Sequence, residues 1–116
     1  MRNKSTIINK PWGRELIWAN TEKYVGKILT IKSGEKLSRQ YHKIKDETIF
    51  VLYGILSLEI GQNPVKKLTL REKETFRVIP GTIHRFCAEH GDVDLIEVST
   101  PELDDVVRLE DEYSRN

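Results

Sequence analysis

Apolar residues recur at every second position in short runs along this chain, and Gly, Pro and Asn interrupt each run before it reaches helical length. That period belongs to strands half buried on one face, not to helices. Between Tyr24 and Lys32, Val25, Leu29 and Ile31 share a face, and Ile49, Val51 and Tyr53 repeat the pattern in the next strong run. Breaks at Ser33-Gly34, Tyr53-Gly54, the GQNP of Gly61 to Pro64, the PGT of Pro80 to Thr82 and His90-Gly91 follow at short intervals. Many short strands separated by turns predict an all-β sandwich, barrel or jelly roll. Only the stretch from Pro101, PELDDVVRLEDEYSRN, departs from the pattern. Leu103, Val106, Val107 and Glu110 stand three or four apart, Pro101 suits a first helical position and Thr100 a cap, so a short C-terminal helix or packed tail is expected.

The length of 116 residues matches one domain spanning 1–116. With 38% hydrophobic and 32% charged residues, the chain is too polar for a membrane span and too apolar for wholesale disorder. Its 19 Lys and Arg against 18 Asp and Glu leave no global electrostatic reason to expect nucleic acid or an anionic membrane as partner. Cys87 is the only cysteine, which excludes an intrachain disulfide and a thiolate metal cluster. The opening MRNKSTIINK has no apolar signal region, and a cytoplasmic location is expected.

The segment Gly34 to Gly54, GEKLSRQYHKIKDETIFVLYG, carries the chemistry. Gln40 and His42 are two apart, so a strand points both to one face. Lys43 to Asp46 are mostly polar and read as a hairpin turn, with Glu47 opening the returning strand toward the same interior. His84, after Pro80-Gly81, starts another alternating strand that a closed sheet would bring opposite. Imidazole, carboxylate and amide donors suit one divalent ion such as zinc, manganese, nickel, cobalt or iron, with coordination positions left open for substrate.

The spacing of Gly34, Gln40, His42, Glu47 and Gly54 resembles the first cupin motif, with Gln in place of its usual first His, and Gly81 with His84 resembles the core of the second. Two departures concern loops: Arg71 to Glu74 lack the expected glycine, and Ala88 stands where many cupins carry Asn. The resemblance implies a double-stranded β-helix with a metal at its mouth. More narrowly, KPWGRE at Lys10 to Glu15, LSRQYH with Glu47, PGTIHR at Pro80 to Arg85 and STPELDDVVRLEDEYSR from Ser99 resemble the cupin domain of type II phosphomannose isomerases. In that family the domain often follows a mannose-1-phosphate guanylyltransferase. Arg39 stands at a position usually apolar there.

This resemblance implies a metal-dependent interconversion of mannose 6-phosphate and fructose 6-phosphate. Such a reaction needs a base between carbons 1 and 2, an electrophile for the enediolate-like charge, and cations for the phosphate. Metal at Gln40, His42, Glu47 and His84 would be the electrophile. Glu97 shares a face with Val93 and Leu95 and is the expected base, with a salt-bridge partner for Lys27 or an Arg as its alternative. Lys27, on the face of Val25, Leu29 and Ile31, is the second expected catalytic residue, with snorkelling from a strand end as its alternative. Lys45, where the family usually carries Arg, and Arg108 are the expected substrate-binding residues, with a solvated turn lysine and a tail clamp as their alternatives. Arg85 points away from His84 by alternation and is read as a structural ion pair, His90 as exposed, and Trp12 and Trp18 as packing or interface residues. A non-catalytic sugar or sugar-nucleotide binding cupin, and an oxygenase or epimerase on the same scaffold, stay open as other functions. Apolar residues on both faces of several strands, such as Ile28 opposite Leu29 and Ile96 opposite Leu95, predict a homodimer, with a small-molecule sugar phosphate as the other partner.

Overall fold

The structure, a computed structural model, describes residues 1–113. Two antiparallel sheets face each other. The first is built from β1 (Thr6–Lys10), β2 (Gly13–Asn20), β3 (Val25–Ile31), β5 (Glu47–Tyr53), β8 (Thr75–Val78) and β10 (Val93–Ser99), in the order β1-β2-β3-β10-β5-β8. The second holds β4 (Arg39–Tyr41), β6 (Leu56–Ile60), β7 (Lys66–Leu70), β9 (His84–Cys87) and β11 (Val107–Glu110), in the order β11-β4-β9-β6-β7. From β3 onward the chain passes between the sheets at each step except the β6–β7 hairpin, as in a double-stranded β-helix.

Alternation decides what lies between the sheets. Leu29, Leu95 and Val51 stand in one cross-strand row of the first sheet, and Leu58 pairs with Phe86 on the second. All five are buried and belong to one apolar cluster with Trp12, Ile31, Ile49, Leu56 and Val93. Tyr53, expected on that face, is 57% exposed, because the register between β10 and β5 shifts just past Leu95. The turn after β5 needs a glycine: Gly54 has φ +86°, and a Cβ there would lie 2.3 Å from the Asp92 carbonyl oxygen.

Two expectations from the sequence change. Lys43 to Asp46 do not close a hairpin: β4 and β5 belong to different sheets, and this segment is the corner between them. Nor does any helix form after Pro101 among the described residues. Thr100 instead accepts from the Asp46 backbone N–H and donates to Glu102, tying the β10 end to that corner. The chain then turns and adds β11 to β4 with Val107 opposite Tyr41. An open strand edge and β-branched Val106 and Val107 favour that pairing over one short helix. The tail residues Ser114, Arg115 and Asn116 lie outside the described residues.

The far face of the second sheet carries ion pairs. Arg39 is buried between Glu59 at 2.7 Å and Glu110 at 2.9 Å, which explains how a position otherwise apolar accepts it. Arg85 points to the same side, donates to the Leu37 carbonyl at 2.8 Å and lies 3.8 Å from Glu110. These contacts clamp β11 from outside. No described helix is long and apolar enough to cross a membrane. Truncating Leu58, fully buried in the core, to Ala is expected to destabilise the fold by about 2–5 kcal/mol, read from the midpoint of urea unfolding.

Candidate metal centre and pocket

Three ligand-type side chains converge at one end of the sandwich. His42 directly follows β4, Glu47 opens β5 after the corner, and His84 opens β9; all three are buried, and one donor atom from each lies within 4.8 Å of the others. Gln40, the fourth expected ligand, is the cross-strand partner of His84 on the same face. Its Oε1 accepts from Ser38 Oγ at 2.8 Å, and an amide oxygen keeps a second lone pair.

Hydrogen bonds set the tautomers. His42 Nδ1 meets the backbone carbonyl of Asp105, and His84 Nδ1 meets that of Thr82 at 2.9 Å. Carbonyls only accept, so each Nδ1 carries a proton and each ring turns its Nε2 inward. His42 Nε2 faces Glu47 Oε1 at 2.8 Å. Neither atom makes a hydrogen bond, nor do Glu47 Oε2 and His84 Nε2, and all four are buried. A cation held between them would give all four orphaned atoms a partner. The residues therefore fit a divalent metal ion.

Asp105 was not singled out from the sequence, yet it organises this end. Its carboxylate accepts from the backbone N–H groups of Lys43, Ile44 and Lys45 at 2.7 to 3.1 Å, while its carbonyl orients His42. Those three backbone donors hold its carboxyl down at about 2. The DD pair in the tail was the available signal, but only the fold shows which corner it reaches.

Beside the ligands lies a pocket of about 390 Å³, lined by residues that include Lys10, Glu15, Lys27, Gln40, His42, Lys45, Glu97 and Arg108. Charges alternate along it. Glu15 pairs with Lys27 at 3.3 Å, Glu97 with Lys45 at 3.1 Å, and Lys45 lies 3.5 Å from Glu47. Lys27 and Glu97 are direct register partners on β3 and β10, but their closest ion pairs are with other residues. Lys27 is buried in mid-strand and does not snorkel from an end. Lys45 is buried as well, so it is not a solvated turn lysine. Burial and the negative Glu47 push the Glu97 carboxyl up to about 7, against the pull of Lys45 and Lys27. Burial would raise Glu47 too, but His42, Lys45 and His84 together hold it near 2. Desolvation lowers His84, against the pull of Glu47 and of its hydrogen bond to the Thr82 carbonyl.

His90 and Trp18 fall outside this end, whereas Trp12 lines the pocket. His90 is exposed, Trp12 is in the core, and the Trp18 ring covers Gly26 on the outer face. Glu59, Cys87 and Glu89 also approach one another, but Arg39 and Lys67 hold the two carboxylates and burial pushes the thiol up to about 11.

This architecture with a buried His, Glu and His at its mouth defines a cupin. Over residues 2–111 the sequence matches the family described as mannose-6-phosphate isomerase C-terminal, and the chain belongs to that family. It is 39% identical to the mannose-1-phosphate guanylyltransferase ManC of Salmonella typhimurium over 93% of this chain, which is 23% of that protein. The chain thus spans less than a quarter of the length of that relative. KdgF from a Halomonas species superposes with a TM-score of 0.75 at 20% identity, covering 88% of this chain and 89% of that one. A sugar phosphate isomerase from a cupin superfamily of Silicibacter pomeroyi superposes at 0.66 with 19% identity, over 75% of this chain and 58% of that one.

The chain is expected to bind one divalent ion per copy by inductively coupled plasma analysis, and His84→Ala and Glu47→Gln to abolish it. Asp105→Asn, which keeps the size but weakens the acceptor, is expected to lower metal affinity by about 10–100-fold in a competition titration with a chelator.

Proposed function

We propose that this domain is a metal-dependent sugar-phosphate isomerase whose substrates are mannose 6-phosphate and fructose 6-phosphate. One observation carries the reading: a buried carboxylate held near neutral pKa, Glu97, lines the pocket that His42 also lines, beside a set of orphaned metal donors. The family name and the sugar-phosphate chemistry of one structural neighbour agree with it. A divalent ion held by His42, Glu47, His84 and Gln40 would supply Lewis acidity to the carbonyl and hydroxyl oxygens of the substrate.

The chain's own groups do the rest. Glu97 takes the proton from carbon 2 of the aldose and returns it to carbon 1, while the proton of the C2 hydroxyl passes to the C1 oxygen, so the carboxylate ends as it began. Lys45 keeps Glu97 aimed by its 3.1 Å contact, and Glu15 holds Lys27 beside it. Core residues Trp12, Leu29 and Phe86 line the pocket and limit water around the proton in transit.

The test is an aldose–ketose interconversion assay on chain stripped of metal and reloaded with zinc, manganese, nickel, cobalt or iron in turn. Metal-dependent turnover, lost in His84→Ala, is expected. Because the base must be unprotonated, the rate should rise with pH through about 7 and level off above it, and Glu97→Gln should lose the rate while keeping the metal. Stoichiometric metal without turnover for any ion would leave a binding role in its place.

We also infer a homodimer through the outer face of the first sheet. Ile7, Leu16, Ile28, Ile96 and Phe50 form one register row across five strands there, none of them fully buried, and Val98 beside them is 46% exposed. A flat apolar row of that width suits the same row of a second copy. Sedimentation at micromolar concentration should give a dimer, and Ile96→Glu a monomer; a monomeric parent chain would remove the inference.

A further inference from the structure

We propose that Arg108 and Lys10 form the anion subsite of the pocket, where the substrate phosphate docks, and that Lys45 has no part in it. The inference deepens the sugar-phosphate reading above and rests on it for the identity of the anion.

Four cationic side chains line the pocket: Lys10, Lys27, Lys45 and Arg108. Two are already spent. Lys27 is held by Glu15, and Lys45 lies between Glu97 and Glu47, where drawing it toward a phosphate would leave two buried carboxylates without their counter-ion. Lys10 and Arg108 make no ion pair with any described residue, and Arg108 Nε is buried with no hydrogen-bond partner. A buried guanidinium donor without an acceptor is costly to keep, and it sits in a pocket wall. A phosphate oxygen is the acceptor that a guanidinium fork fits best.

Register gives the distance scale. Arg108 on β11 pairs with Gln40 on β4, and Gln40 with His84 on β9, so all three stand in one row on the pocket face. Two strand spacings, roughly 10 Å, therefore separate the Arg108 position from that of His84. That span is comparable to the reach from the carbonyl end of a six-carbon sugar to a phosphate on its last carbon. Lys10 comes from the opposite wall. It ends β1 on the face that also carries Ile8, with Glu15 and Ile17 in register on β2, and all of these line the pocket. Both cations are carried on strands, so little ordering remains to be done when the anion arrives.

The experiment is calorimetric titration of the full chain, as purified, with inorganic phosphate, which reads the subsite without turnover. Saturable binding is expected, weakened at least about tenfold by Arg108→Gln and by Lys10→Met, partly restored in Arg108→Lys, and unchanged by the exposed Lys66→Met. Circular dichroism melts confirm that each variant is folded. Absence of saturable phosphate binding at millimolar concentrations, or binding to Arg108→Gln and Lys10→Met as tight as to the parent, overturns the subsite. Its failure is distinct from that of the isomerase reading. A chain that binds phosphate through these two residues but does not turn over sugar phosphate overturns the activity alone, and an active chain whose KM is untouched by Arg108→Gln overturns the subsite alone.

Discussion

The contact between Asp105 and the corner at Lys43 to Lys45 ties together parts of the chain that are about sixty residues apart. One carboxylate satisfies three consecutive backbone donors that face no strand, and the carbonyl of the same residue fixes the His42 ring. This anchor orients the His42 ring and helps to deliver β11 to the edge of β4. With it, the tail becomes a wall of the pocket, and Arg108 arrives in the same row as Gln40 and His84. Ligand orientation, pocket shape and the position of a free cation thus follow from one local arrangement of hydrogen bonds.

Charges inside the sandwich set a second constraint. Buried ion pairs are weak sources of stability, since desolvation offsets most of their attraction, and well-packed apolar residues of similar volume often do as well. Glu15, Lys27, Glu97, Lys45 and Glu47 are therefore poorly explained as stabilising elements. They are better explained by what their fields do to one another: Glu47 stays ionised beside two histidines, while Glu97 is kept near neutrality. The rest of the interior carries the stability, in a continuous apolar cluster from Trp12 to Leu95. The polar and apolar halves meet at Phe86, whose ring lies 5.3 Å from that of His84.

Much of this site was legible in the sequence because strand alternation is a local rule. Parity alone placed Lys27 with Leu29, Glu97 with Leu95, and Gln40 with His42, and the structure keeps each pairing. Parity also turned Arg85 away from His84 onto the ion-paired outer face. It failed where pairing partners mattered. The corner at Lys43 to Asp46 has the composition of a hairpin turn, and only the sheet assignment of β4 and β5 separates the two possibilities. The stretch after Pro101 has helical spacing and a good cap, but the open edge of β4 offered more hydrogen bonds than one isolated helix would retain. Lys45 was expected to reach a phosphate at the mouth, or else to be a solvated turn lysine, yet it is buried between two carboxylates that come from different strands. Glu15 was silent for the same reason, since its partner lies on a neighbouring strand.

The sequence by itself determined the all-β class, the strand faces, and the residue types able to hold a divalent ion, because each of these depends on neighbours two to seven positions away. Tertiary structure alone decided which carboxylate each lysine would meet, which imidazole nitrogen would face inward, and that Arg108 and Lys10 would line one pocket without a counter-ion. Those outcomes depend on register between strands far apart in the chain, and a one-residue slip there would turn every side chain to the other face.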